Sequence, residues 1–297
     1  MINLENVHAT QHEGAESIIG YLTWFSVPDQ VVTLEKLQDL FDECDLDKEH
    51  LPTKILVHHA FRRATQIKDK RKTEHAGVHE NYITREVACN LDGIIRHIVC
   101  ETVDTKGKRL KYEEDAAILI LERKSEIVKY YGMNAYAKAL AKQAAIEFEL
   151  YKKTVSVQTL RSIVQSLLQT MAPTPVRPSG GVYFVPKKFE EQINNMNRFL
   201  SVLDKGEGRA IPLINDEENR DMIRGKLLDH IGGTMDLCNK SLSGELKDHQ
   251  VREVLDNAKR VLRDYTNYTS IISKDVTTME DMIDQIRKSV ITITEKF

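Results

Sequence analysis

Residues 251–290 read VREVLDNAKRVLRDYTNYTSIISKDVTTMEDMIDQIRKSV, and this stretch decides the fold that the sequence predicts. Apolar or small side chains recur every seven residues over five intervals, from Val251 to Ile286. A seven-residue repeat of this length is typical of a coiled-coil seam. The predicted seam consists of Val251, Val254, Leu255, Ala258, Val261, Leu262, Tyr265, Ile272, Met279, Ile283 and Ile286.

The region before the seam predicts a second helical arm that could cover it. Glycines at positions 232, 233 and 244 punctuate a helical stretch, which favours a helical hairpin with one arm at 216–242 and a longer arm at 246–291. An apolar seam must be covered, either by the neighbouring arm or by another copy of the chain. Both arrangements stay open at this level, and the seam leads us to expect a homo-oligomer.

Working outward, the other segments alternate between helical and extended patterns. Residues 81–131 combine β-branched runs with a glycine-containing turn and predict an antiparallel sheet. The predicted fold class is therefore α+β, mainly helical, with a small antiparallel sheet and a C-terminal helical hairpin of coiled-coil type. The expected regions are an N-terminal helical region (1–72), the sheet (73–132), helices with a short β-hairpin (133–215) and the helical hairpin (216–297).

Composition excludes several classes of protein. The 297 residues are 41% hydrophobic and 29% charged, which is typical of a globular protein rather than a disordered one. The formal net charge of −3 argues against a uniformly basic surface. No apolar run suits a membrane span, and the N-terminus does not have the pattern of a signal peptide. Four widely spaced cysteines are expected to be reduced thiols, which predicts a cytoplasmic location.

Common catalytic motifs are missing from the sequence. It contains no GxxxxGK[ST], GxGxxG, GxSxG or HExxH pattern, so no catalytic residues are predicted and no cofactor is expected. His75 and His79 invite a zinc interpretation, but Gly77 between them favours a loop rather than a helix that would aim both at one ion. We therefore expect solvated histidines and no metal site.

A basic cluster at 54–72 is the strongest candidate binding site. It carries Lys54, Arg62, Arg63, Lys68, Lys70, Arg71 and Lys72 against Asp69 alone. Such a local excess of cations suits the phosphates of a nucleic acid. A patch for an acidic protein, or a merely solvated basic face, remains an alternative because no aromatic residues are interleaved with the cations.

The segment RPSGGVYFVP at 177–186 is a second candidate site. Its glycines allow a hairpin, and Arg177 with Tyr183 would be suited to hold an anion or a partner. The alternative is that its aromatic residues simply fill the core between helices.

Three stretches together resemble a family of phage and prophage proteins with no assigned activity. They are YLTWFSVPDQ (21–30), LPTKILVHHAFRRAT (51–65) and RPSGGVYFVP (177–186). The resemblance carries no catalytic residues. It implies a phage-encoded protein that acts by binding, and one specific expectation is a counter-defence inhibitor, similar in size to phage inhibitors of the bacterial Gabija system, which sheathe their target as oligomers.

The sequence therefore predicts a non-enzymatic, self-assembling protein that binds another macromolecule, with a protein as the expected partner and no membrane association. The alternative function is binding of nucleic acid through residues 54–72. A hydrolase or nuclease is a third class, and it would need a metal and a pocket that the sequence does not reveal.

Overall fold

The computed structural model describes residues 18–177, 179–272 and 276–296. The chain divides into two units. The first, here called the helical unit, comprises the described parts of residues 1–29, 40–50 and 160–297. The second, here called the sheet unit, comprises residues 30–39 and 51–159.

The described residues form strands and helices with the following bounds. The strands are β1 (Ile18–Ser26), β2 (Val32–Thr33), β3 (Lys68–Lys72), β4 (His79–Cys89), β5 (Gly93–Val103), β6 (Arg109–Glu122), β7 (Ile127–Tyr131), β8 (Thr154–Val155), β9 (Thr174–Pro175), β10 (Tyr183–Pro186) and β11 (Glu207–Ile214). The α-helices are α1 (Leu34–Glu43), α2 (Val57–Ala64), α3 (Ala135–Tyr151), α4 (Val157–Gln169), α5 (Glu190–Val202), α6 (Glu217–Leu242), α7 (Asp248–Asp264) and α8 (Val276–Lys296).

The predicted fold class needs correction, because the molecule is not mainly helical with a small sheet. It is α+β with 27% strand, and its largest sheet is a curled antiparallel sheet of five strands, β3 to β7. The predicted hairpin between β5 and β6 is present, but β6 alone is 14 residues long. The sheet also extends to residues 68–72, which the sequence analysis left outside it.

The helical unit contains a four-stranded antiparallel sheet in the order β11-β1-β10-β9. The expectation of helix throughout the N-terminal region is therefore wrong for residues 18–26, which form β1. This run, IIGYLTWFS, is rich in aromatic and β-branched side chains, which pack well on a pleated surface.

Gly20 lies in β1 where the neighbouring strand approaches closely. A Cβ atom at this position would lie 2.3 Å from the carbonyl oxygen of Val185 and 2.5 Å from the ring of Phe184. Gly20→Ala is therefore expected to destabilise the fold by about 2–3 kcal/mol, measured as a lower midpoint in chemical denaturation.

The control for this prediction is Gly225→Ala in α6. A Cβ atom there meets nothing within 4 Å, and alanine suits a helix better than glycine by about 1 kcal/mol. The control is expected to unfold at the same midpoint or a higher one. Equal midpoints for Gly20→Ala and the unmodified protein would contradict the close packing of β1 on β10.

The C-terminal region is a bundle of three helices rather than a two-armed hairpin. The predicted longer arm is broken, because α7 ends at Asp264 and a single 3₁₀ turn follows at Tyr265–Asn267 before α8 begins. Helices α6, α7 and α8 contact one another pairwise. The predicted two-armed hairpin is therefore corrected to a bundle of three helices, and the coiled-coil character of their packing stays a prediction.

The predicted seam is covered by this bundle. Ala258, Ile272, Met279 and Ile286 are all 0% exposed, and they belong to one apolar cluster with Ile223 and other residues of α6. Val251, Val254, Val261, Tyr265 and Ile283 are also buried in that cluster, and Leu255 and Leu262 pack against it. The chain itself thus buries the seam, so the seam gives no physical reason for a second copy. The homo-oligomer remains a prediction.

In the sheet unit, α2 and α3 pack on one face of the five-stranded sheet. The N-terminus of α3 is capped as its sequence suggests, since the side chain of Asn134 accepts bonds from the backbone N–H groups of Tyr136 and Ala137. Small residues let α3 lie close to the sheet, and the shared core includes Phe61 of α2 and Leu119 of β6. The buried residues of α3 are Ala137, Ala141, Ala144 and Phe148.

Candidate nucleic-acid interface

The basic cluster at 54–72 is divided by the geometry of β3. Side chains alternate between the two faces of a strand, so Lys68, Lys70 and Lys72 point to one face while Asp69 and Arg71 point to the other. The contacts confirm the division. The hydroxyl of Tyr136 on α3 donates to Asp69 at 2.6 Å, and the guanidinium of Arg71 lies 4.9 Å from the centre of the Tyr136 ring.

The arginines of α2 are occupied by contacts within the sheet unit. Arg62 donates two hydrogen bonds of 2.9 Å to the carboxylate of Glu86, and this pairing lowers the pKa of Glu86. Arg63 donates to the carbonyl oxygens of Thr154 and Val155, both at 3.2 Å. These two arginines stabilise the fold and are poorly placed to bind phosphate. Lys54 lines a cavity of about 370 Å³ together with Arg63.

The three lysines lie on the sheet face opposite to α2 and α3, here called the open face. Strand pairing continues from Lys70 to Asn81, then to Glu101, and ends at Tyr112. Directly paired residues point to the same side of an antiparallel sheet. The register therefore collects side chains from four strands on the face that carries the lysines, although they lie up to 42 positions apart in sequence.

Two exposed aromatic rings lie on the open face. Tyr112 is 48% exposed, and the guanidinium of Arg109 lies 5.1 Å from the centre of its ring. Tyr131 is 55% exposed, and strand pairing links it through Ile118 and His97 to Arg85. Exposed tyrosines beside cations are the combination that stacks and neutralises unpaired nucleotides.

Two carboxylates limit the positive charge of this face. Glu101 accepts a 2.7 Å bond from Arg109, and Glu122 accepts a bond from Lys129, so both cations are partly neutralised. Lys68, Lys70 and Lys72 have no hydrogen-bond or ion-pair partner within the described ranges, and all three are exposed. These lysines supply most of the available charge, and the exposed Arg85 on the same face adds to it.

Charge is distributed unevenly along the chain. Residues 51–159 carry 20 Lys and Arg against 14 Asp and Glu, a net charge of +6. The whole chain has a net charge of −3, so the remaining residues are strongly acidic. Residues 51–159 are thus basic although the net charge of the whole protein is negative.

Sequence reasoning missed the open-face residues outside residues 54–72. Arg85, Arg109, Tyr112 and Tyr131 were not identified, because their common face depends on the pairing of distant strands. Alternation along β6 and β7 was the signal that pointed to them, but the register could not be assigned from it.

The hairpin predicted at 177–186 begins earlier in the chain, because its first strand is β9 at Thr174–Pro175 and its second is β10. Tyr183 is half-buried on β10, pairs with Pro175 and lines a cavity of about 250 Å³. Arg177 lines a neighbouring cavity of about 330 Å³ instead. The two residues therefore belong to adjacent cavities of the helical unit.

The four cysteines are free, and only Cys89 among them is exposed. The described residues contain no group of three or more His, Cys, Asp or Glu side chains arranged to hold a metal ion. In the described part of the chain, no helix has both the length and the apolar character needed to cross a membrane.

Comparison with known families covers almost the whole chain. The model of DUF6744, a family of unknown function, matches residues 18–296. The chain belongs to this family. Comparisons with curated proteins and with solved structures found no match. The family description assigns no activity, so the phage origin, the protein partner and the role against a defence complex stay predictions from the sequence.

Proposed function

We propose that the protein binds single-stranded nucleic acid along the open face of the sheet unit. The observation that carries this proposal is the register of the sheet, which brings Lys68, Lys70 and Lys72 onto the same face as Tyr112 and Tyr131. Lysines neutralise phosphates, and tyrosine rings stack on bases. The sheet provides both kinds of group at fixed spacing.

The exposed rings favour a single strand over a duplex. In a duplex the bases are stacked on one another, whereas a single strand can turn its bases onto protein side chains. Five strands at about 4.8 Å spacing give a platform roughly 20 Å wide, which accommodates a few nucleotides. The cytoplasmic location predicted from the dispersed cysteines would give the protein access to such strands.

Arg62 and Arg63 are not part of the proposed interface. Their side chains are held by Glu86, Thr154 and Val155. Replacing them would disturb the fold and would not test binding. The proposal thus keeps the nucleic-acid function of the basic cluster but moves it to three lysines and two tyrosines.

The test is a fluorescence anisotropy titration with labelled oligonucleotides of about 20 nucleotides, over a series of salt concentrations. We expect poly-uridine RNA or poly-thymidine DNA to bind more tightly than a duplex of the same length. Three lysine contacts predict that log K falls with log salt with a slope of about −2.

Two outcomes of the same titration would contradict the proposal. Absence of binding at the lowest salt concentration would overturn the proposal. Equal affinity for the duplex would overturn the role of the tyrosines. Tyr131→Ala is expected to weaken single-strand binding about tenfold or more, because a stacked base is worth about 1–3 kcal/mol.

A further inference from the structure

The helical unit contains a cleft that the proposed function does not use. It consists of two cavities, of about 250 and 450 Å³. Gln169 at the end of α4 and Arg260 on α7 line both cavities, so the cavities adjoin there. The first is here called the tyrosine cavity and the second the cationic cavity.

The cationic cavity has an excess of positive charge. Lys259, Arg260 and Arg263 of α7 line it, and Asp256 is the single carboxylate of the lining. Arg263 is engaged by Asp264 at 2.8 Å and by the carbonyl oxygen of Gln169.

Two of these cations are available for a ligand. Lys259 and Arg260 have no hydrogen-bond or ion-pair partner among the described residues. Arginine beside lysine is a common way of binding a phosphate group.

The tyrosine cavity is walled by flat side chains. Tyr183, Tyr265 and Tyr268 line it, and the amides of Gln165 and Asn257 provide polar edges. Aromatic walls with a few polar groups are typical of sites that bind a ring.

One polar atom of this wall is unsatisfied. Tyr265 is 9% exposed, and its hydroxyl has no hydrogen-bond partner within the described ranges. The hydroxyl of Tyr268 is different, because it accepts from Thr174 and donates to the carbonyl oxygen of Ala172. A buried hydroxyl without a partner is costly, so it is a rare feature in a region that serves only packing.

His230 provides a further polar group in the tyrosine cavity. Burial, followed by the nearby charge of Arg260, lowers the pKa of His230, while Asp264 acts in the opposite direction. The imidazole is therefore neutral at pH 7, with one nitrogen able to donate and the other able to accept a hydrogen bond.

We infer that this cleft binds a nucleoside phosphate, with the ring in the tyrosine cavity and the phosphate at Lys259 and Arg260 in the cationic cavity. The ring contributes stacking and edge hydrogen bonds, and the phosphate contributes charge pairing. Arg260 lines both cavities, whereas Lys259 lines only the cationic cavity, so the full pair of cations requires both cavities. The inference is independent of the sheet unit and does not rest on the proposed function.

The experiment is calorimetric titration of the full chain with adenosine, guanosine, cytidine and uridine monophosphates. Ribose 5-phosphate, inorganic phosphate and the four free nucleosides serve as comparison ligands. At least one nucleotide is expected to bind tenfold or more tightly than its nucleoside and than inorganic phosphate. Failure of all four nucleotides to bind at millimolar concentration would overturn the inference, and so would equal binding of inorganic phosphate.

Variants locate the site. Arg260→Gln is expected to weaken nucleotide binding at least tenfold, whereas Arg252→Gln, an exposed position on the same helix, is expected to leave it unchanged. Tyr265→Phe is expected to weaken binding several-fold without lowering the melting temperature of the free protein. Equal affinities for Arg260→Gln and Arg252→Gln would place the nucleotide elsewhere. Oligonucleotide binding at the open face is measured in a separate experiment. A failure of nucleotides to bind the cleft would therefore leave the proposed binding of single-stranded nucleic acid unchanged.

Discussion

Replacing Lys68, Lys70 and Lys72 with glutamate is expected to weaken single-strand binding at least about 100-fold at moderate salt. The substitution replaces three of the four exposed positive charges of β3 with negative charges, and it leaves Arg71 on the other face unchanged. Repulsion from the phosphates then adds to the lost attraction. The measurement is the same anisotropy titration, and the salt dependence of the remaining binding is expected to become nearly flat.

The matched control changes lysines on the helix-covered side of the same unit. Lys138 and Lys142 are exposed residues of α3, which packs on the other face of the sheet. Lys138→Glu with Lys142→Glu is expected to reduce affinity only slightly, through the change in net charge. If the control weakened binding as much as the β3 variant, attraction would be a property of overall charge and the open face would not be the interface.

Ile286→Ala is expected to destabilise the helical unit by about 3–4 kcal/mol, because it leaves a cavity in the bundle core. Ile286 is 0% exposed and belongs to the apolar cluster formed with α6 and α7. The matched control is Ile291→Ala on the same helix, where the side chain is 55% exposed. The control is expected to change stability by no more than about 0.5 kcal/mol. Urea denaturation measures the free energy of unfolding of both variants.

The same denaturation curves test the homo-oligomer. If the seam is covered within one chain, the midpoint is independent of protein concentration. If a second copy covers it, the midpoint rises with concentration, because association stabilises the folded state by mass action. Because the chain buries its own seam, we expect no dependence from this contact. A rising midpoint would support the predicted homo-oligomer, and small effects for Ile286→Ala would contradict the bundle.

The sequence reveals helical periodicity well and strand identity less well. The repeat from Val251 to Ile286 correctly marked side chains that share a core, since helical spacing is visible locally. The break after Asp264 was missed because the apolar spacing continues across it by coincidence. Residues 18–26 were assigned to a helical region because a short apolar run suits a buried helix as well as a strand.

The candidate site was predictable as a charge excess but not as a surface. Counting cations identified Lys68, Lys70 and Lys72 together with Arg62 and Arg63. Whether these side chains share a face depends on β3 being a strand, and a lysine-rich run has little strand propensity of its own. Pairing with β4 supplies the missing stabilisation, and pairing partners far away in sequence are not visible in local patterns.

The position of β3 has a further consequence for the behaviour of the protein in concentrated solution. As the outermost strand of its sheet, it leaves one row of backbone N–H and C=O groups that no other strand of the described residues pairs with. Such a row is a template on which a second molecule can add a strand and begin a fibre. Lysines along this border repel the equivalent border of another molecule. Replacing these lysines with neutral residues is therefore expected to promote fibrils. Glutamate is the better replacement in the binding test, because its negative charges also make the equivalent strands of two molecules repel each other.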